Sequence, residues 1–204
     1  MITKILDTVF SSRSNIVILR ALKSYSVGVS GREVARLTGL TPKSCLKTLT
    51  LFENTGIITR IRGGRDHIFN LNRKHFLVEK AILPLLDAEL NFFDSLKKEI
   101  KSKLQKKCSS VYVFGSVARR EDTLKSDLDI CVILNNEIRE ELLEIAISDL
   151  RKNIFTEYGV SISPFYITQK EFIKRARSKK PPLPDILENG IYIFGNQINK
   201  LING

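Results

Sequence analysis

Apolar positions recur along the chain with two periods, and the change from one to the other marks its organisation. In the stretch SRSNIVILRALK, Ser12 to Lys23, Ile16, Leu19, Ala21 and Leu22 stand at helical spacing behind a Ser-rich start able to cap. Ser30-Gly31-Arg32-Glu33 has the form of a capping box, and Val34, Ala35 and Leu37 carry a short helix to Gly39. Thr41-Pro42 opens a second helix, with Thr as cap and Pro at the first helical position; Leu46, Leu49 and Phe52 repeat every three residues and are expected to face inward. Gly56 ends that helix. Ile57 to Ile61 and His67 to Leu71 then alternate as strands about the turn Arg62-Gly63-Gly64-Arg65. The pattern is a helix-turn-helix followed by a β-hairpin.

From His75 to Lys107 the period is helical throughout, with Ile82, Leu86, Leu90, Phe93, Leu96, Ile100 and Leu104 forming one stripe. Pro84 should kink this segment or start a second helix. The stripe needs a partner, which is either the domain that follows or the same helix of a second copy. Beyond it the pattern turns to buried strands: Val111 to Phe114, and Ile130 to Leu134. A helix is expected over Glu137 to Asn153, with Ile138, Leu142, Ile145, Ala146 and Leu150 inward, and a strand over Val160 to Ile167. Gln169 to Arg177 reads as a short helix, Ser178 to Pro184 as an extended loop, and Ile186 to Gly195 as a helix end and a terminal strand.

Composition changes this picture in one respect. The net charge of +11 is uneven: residues 1 to 75 hold 13 Lys/Arg against 4 Asp/Glu, a net +9, which leaves +2 for residues 76 to 204. Such asymmetry points to a polyanionic partner for the first third. The three cysteines, Cys45, Cys108 and Cys131, form no metal-like cluster, and their odd number argues against a disulfide framework; Cys45 and Cys131 read as small core residues. With only His67 and His75 present, a His-rich metal site is excluded. No apolar run approaches a membrane span, and Met1-Ile2-Thr3-Lys4 leads into no signal-peptide core, so a cytoplasmic protein without membrane contact is expected.

The densest chemistry lies in VYVFGSVARREDTLKSDLDICVIL, Val111 to Leu134. Side chains alternate faces along a strand, so Asp127 and Asp129 share one side while Leu128 and Ile130 face the core. Converging carboxylates repel unless a cation lies between, and hard oxygen ligands suit Mg²⁺, whose other places go to water and phosphate oxygens. Gly115 lets a phosphate approach the backbone, and Ser116 adds a hydroxyl at a helix start. The stretch resembles the nucleotidyltransferases of the DNA polymerase β superfamily, especially the minimal nucleotidyltransferase domains. Their pattern is an apolar strand, Gly-Ser, about ten residues, then Asp-x-Asp on the next strand, and it is met here by Gly115-Ser116, Ala118-Arg119, Ser126 and Asp127-Leu128-Asp129. The resemblance implies that Gly115, Ser116 and Arg119 bind a nucleoside triphosphate and that Asp127 and Asp129 bind Mg²⁺ and carry catalysis.

Ser30 to Asn72 resembles the winged helix-turn-helix domains of bacterial and archaeal transcription regulators, in which the second helix enters the major groove of double-stranded DNA. That resemblance places Pro42, Lys43, Ser44, Lys47 and Thr48 toward DNA, with Arg60, Arg62 and Arg65 flanking the wing. The expected fold is α+β: a winged helix DNA-binding domain over 1–74, a helical linker or dimerisation segment over 75–107, and a nucleotidyltransferase-like domain over 108–204 with a mixed sheet flanked by helices.

Two departures from the superfamily pattern bear on activity. Its active members carry a third carboxylate on the strand that here runs Val160 to Ile167, where this chain offers Ser161 or Ser163; Glu157, just before the strand, is a substitute away from the expected position. Arg120 stands where related sequences often have Gly. Three functions follow. The first is a DNA-binding, transcription regulator-like protein whose second domain binds NTP and Mg²⁺ with little turnover. The second is an active transferase moving NMP from NTP onto a protein, RNA or small-molecule hydroxyl. The third is an antitoxin-type partner of a small helical toxin.

Overall fold

The computed structural model describes residues 4–63, 66–134 and 140–199, so Gly64, Arg65, Glu137 and Ile138 lie outside the described residues. The chain divides into two compact units, Met1–Asn91 and Phe92–Gly204.

In the first unit, α1 (Ile5–Val9) and α2 (Arg13–Lys23) precede β1 (Val29–Ser30), α3 (Gly31–Thr38), α4 (Pro42–Asn54), β2 (Ile58–Gly63) and β3 (Asp66–Leu71). Each of the three longer helices begins at a hydroxyl that accepts an otherwise unpaired backbone N–H: Ser12 from Asn15, Ser30 from Glu33, Thr41 from Ser44. Only half of the expected capping box forms, because the Glu33 carboxylate turns instead to the Arg36 guanidinium at 2.5 and 2.8 Å. Gly39 ends α3 with φ +66. The antiparallel sheet has the order β1-β3-β2, and Gly63 pairs with Asp66 at the tip of the hairpin. A three-helix core under a β-wing is a winged helix-turn-helix. Its core closes on Ile18, Leu22, Val34, Leu49, Phe52 and Phe69.

One helix face differs from expectation. Leu46 is exposed, and α4 buries Cys45, Thr48, Leu49 and Phe52 instead. A step of three residues turns only 300°, so Leu46, Leu49 and Phe52 spiral off one side, whereas mixed steps of three and four hold a face.

A π-helical turn, Val78–Ile82, runs without a break into α5 (Leu83–Leu104), and Pro84, which has no N–H to donate to the preceding turn, lies just after it. Along this stretch Ile82 and Leu86 belong to the core of the first unit, Leu96, Ile100 and Leu104 to that of the second, and Leu90 is exposed.

The second unit continues with β4 (Ser110–Phe114), α6 (Gly115–Ala118), β5 (Leu128–Leu134), α7 (Glu140–Tyr158), β6 (Ile162–Thr168), α8 (Gln169–Arg177), α9 (Leu183–Asn189) and β7 (Ile191–Gly195). The strand order is β6-β5-β4-β7, with β5 parallel to β6 and the other pairs antiparallel, so the sheet is mixed. Both faces are covered, which is why the central strands are apolar without interruption. Val111, Val113, Ile130 and Val132 pack with α5 and α7, while Tyr112, Cys131 and Ile133 pack with α8 and α9. The inward face of α7 is Leu143, Ala146, Ile147, Leu150 and Ile154; Leu142 and Ile145, expected inside, are exposed. Among the described residues no helix is long and apolar enough to cross a membrane. All three cysteines are buried and free, and burial pushes the Cys108 and Cys131 thiols up to about 12.

Candidate functional site

Alternation along β5 decides where the second unit's polar groups meet. Leu128, Ile130 and Val132 face one core, so Asp129 shares its face with Cys131 and Ile133, beneath α8 and α9. At the end of that face, register sets Phe114 of β4, Asp129 of β5 and Ser163 of β6 side by side. Ser163 is therefore the residue at the strand position next to the Asp-x-Asp pair. Ser161 precedes β6, where its carbonyl accepts the Leu128 N–H at 2.8 Å, and Glu157 is exposed in the last turn of α7, away from β6.

Gly115 is required on two counts. Its φ of +73 is left-handed, and a Cβ there would lie 2.3 Å from Asp129 Oδ2. Any side chain would drive the two signature elements apart. The Gly115 N–H donates to Asp185 Oδ2 at 2.9 Å, and Arg119 Nη1 donates to the same oxygen at 2.9 Å. Arg119 Nε donates to Glu121 Oε2 at 2.9 Å, so its guanidinium is held between two acids. The Ser116 hydroxyl, half-buried beside them, has no hydrogen-bond partner among the described residues. Ser126, before the first Asp, accepts the Thr123 N–H at 2.9 Å and closes the turn that delivers Asp127.

Asp127 is exposed and Asp129 half-buried. Burial raises Asp129 above the usual carboxylate range; the Ser163 side chain opposes the shift, and the charges of Asp127 and Asp185 push it further up. A carboxylate destabilised by like charges fits a hard cation. Among the described residues no group of three or more His, Cys, Asp and Glu is placed to hold a metal. Two carboxylates alone would leave most positions of an octahedral ion to water and phosphate oxygens.

Asp185 was not visible in the sequence as a site residue. It stands in a Pro-rich segment with no motif around it, and only the return of α9 across the sheet brings it to Gly115. Burial works to raise its carboxyl, but hydrogen bonds from Arg119, Asn189 and the Gly115 N–H outweigh that and hold it below the usual range.

Arg120 has φ +60, a left-handed conformation that a residue with a Cβ adopts at a cost of about 1 kcal/mol. The backbone therefore explains why Gly is usual there. Arg120→Gly is expected to raise stability by about 1 kcal/mol in urea unfolding, and a clear loss would show that the Arg120 side chain outweighs the strain. With Phe92, Phe93 and Leu124, Arg120 lines a cavity of about 660 Å³.

In the first unit the structure separates the residues expected at DNA. Pro42, Lys43, Lys47 and Arg62 are exposed, and the three cations make no ion pair among the described residues. Ser44 is half-buried with its N–H on Thr41. Arg60 is paired with Glu53 at 2.9 Å. Thr48 is only 6% exposed, and its hydroxyl donates to Asn15 Oδ1 at 3.3 Å, so it supports the core rather than the outer face. Arg65 lies outside the described residues.

Residues 98–198 match the family model of the polymerase beta nucleotidyltransferases. The C-terminal half carries a nucleotidyltransferase domain of that family. No curated protein matches the sequence. Among solved structures, a predicted DNA-binding transcriptional regulator from E. coli is 26% identical, covering 41% of this chain and 85% of its own, with a TM-score of 0.36. The Staphylococcus aureus transcription regulator MepR is 16% identical, covering 50% and 82%, with a TM-score of 0.37. A mutant of the toxin–antitoxin MntA-HpeT is 14% identical, covering 52% and 80%, with a TM-score of 0.35. In the nucleotidyltransferase domain of this chain, Gly115, Ser116, Arg119, Asp127 and Asp129 thus stand together, and Ser163 stands beside them.

Proposed function

We propose that this chain is a DNA-binding, regulator-like protein whose nucleotidyltransferase domain binds a nucleoside triphosphate with Mg²⁺ and turns it over slowly or not at all. One observation carries the reading: the strand position beside Asp129 holds Ser163, which does not ionise near neutral pH, while the rest of the signature is intact. Asp127 and Asp129 would hold the ion, which when bound neutralises phosphate charge. Ser116 and the Gly115 backbone meet the phosphates, and Arg119 balances their charge. In this reading the winged helix places Lys43, Lys47 and Arg62 on DNA phosphates. A homodimer setting two winged helices on a pseudo-palindromic site belongs to the same proposal.

Calorimetric titration of ATP, GTP, CTP and UTP with Mg²⁺ tests it, with pyrophosphate release followed in parallel. The expected result is binding without appreciable release in the parent, and at least tenfold weaker binding in Asp127→Ala. Rapid release would make the chain an active transferase. Absence of binding by all four nucleotides would remove the nucleotide from the reading.

A further inference from the structure

The groups assigned to phosphate are already in use within the fold. Asp185 Oδ2 accepts both the Gly115 N–H and Arg119 Nη1 at 2.9 Å, and its other oxygen, Oδ1, accepts Asn189 Nδ2 at 3.0 Å. The carboxylate is steady because Leu183 and Ile186, on either side of it, are fully buried under the sheet. A phosphate oxygen and this carboxylate cannot share one N–H, and as two anions beside Asp129 they repel.

We propose that Asp185 is a resident anion that holds the phosphate-binding groups of the signature turn, and that a nucleoside triphosphate binds by displacing it and loosening α9. The inference rests on the nucleotide-binding reading above. Displacement makes the site's free fraction part of its apparent affinity: if Gly115 and Arg119 are free of Asp185 a tenth of the time, ligands bind about tenfold more weakly than the bare site allows. It also gives the domain a signal, since α9 packs with α8 and on β4, and release of the Asp185 hydrogen bonds to Gly115 and Arg119 frees the helix to shift when nucleotide arrives. The opposite role is a positioning one, in which Asp185 merely aims Arg119 at the phosphate. The two differ in sign.

Titration of inorganic pyrophosphate and of Mg²⁺–ATP into the parent, Asp185→Asn and Asp185→Ser separates them, with backbone hydrogen exchange followed over residues 183–189. Displacement predicts binding about tenfold tighter in both variants. It also predicts exchange in α9 that rises with nucleotide in the parent and is already raised without nucleotide in the variants. Circular dichroism and unchanged exchange in β4 and β5 establish that the variants fold. Equal or weaker binding by the variants, with the parent binding, overturns the displacement and leaves the nucleotide reading standing. No binding by any of the three overturns both.

Discussion

The triple variant Lys43→Ala, Lys47→Ala, Arg62→Ala is expected to bind double-stranded DNA about a thousandfold more weakly than the parent at 0.1 M salt. The slope of log affinity against log salt should fall by about 2.7. Each phosphate contact releases about 0.9 counterion from B-form DNA, which at 0.1 M is about a tenfold factor, and three contacts multiply. The choice of residues follows from what each cation does in the folded unit. Lys43 and Lys47 are exposed one turn apart on α4, and Arg62 is exposed near the tip of the hairpin. Arg60 is already neutralised by Glu53, so Arg60→Ala should cost little affinity and barely move the slope. Thr48→Ala should act through stability instead, because it strips a buried partner from Asn15. Fluorescence anisotropy from 50 to 300 mM salt reads the first two effects, and urea unfolding reads the third. Unchanged affinity and slope in the triple variant would remove DNA from this face of the protein.

The order of elements was readable for a simple reason. Capping residues and glycines announce helix ends locally, and β4 and β5, covered on both faces, are apolar at nearly every position. The facing of helices was less readable. In α4 and α7 both sides of the true stripe carry apolar residues, so a chain of steps through Leu46 or through Leu142 and Ile145 fits the letters as well as the buried one does; packing against neighbouring elements decides. Within the site, Gly115, Ser116, Asp127 and Asp129 were legible because one strand-turn-strand unit holds them. Asp185 was not, since it lies 66 residues beyond Arg119 and reaches it through tertiary structure alone. The choice between Ser161 and Ser163 likewise needed the parallel register of β5 and β6.

That register makes Ser163→Asp the most consequential change the fold offers. It is expected to raise Mg²⁺-dependent pyrophosphate release by about 10² to 10⁴, the span that a positioned general base supplies, with further gain from a third metal ligand. Ser161→Asp, outside the strand pair, should do nothing. The new carboxylate enters a neighbourhood where Asp129 is already raised by burial and by Asp127 and Asp185, so without metal it costs stability. The sign follows from linkage: a carboxyl raised in the folded state binds protons more tightly there than in the unfolded chain. The variant's deficit should therefore shrink as pH falls from neutral through the raised carboxyl range, and grow again as pH rises. Mg²⁺ should relieve the same deficit at neutral pH, giving a larger metal-dependent rise in melting temperature for Ser163→Asp than for the parent. If the variant gains that metal response and binds nucleotide but still releases no pyrophosphate, the missing acid is not what limits turnover. The absence of an acceptor hydroxyl would then be the constraint. If release appears, the chain holds a complete transferase short of one side chain, and its ordinary work is to bind the nucleotide rather than to spend it.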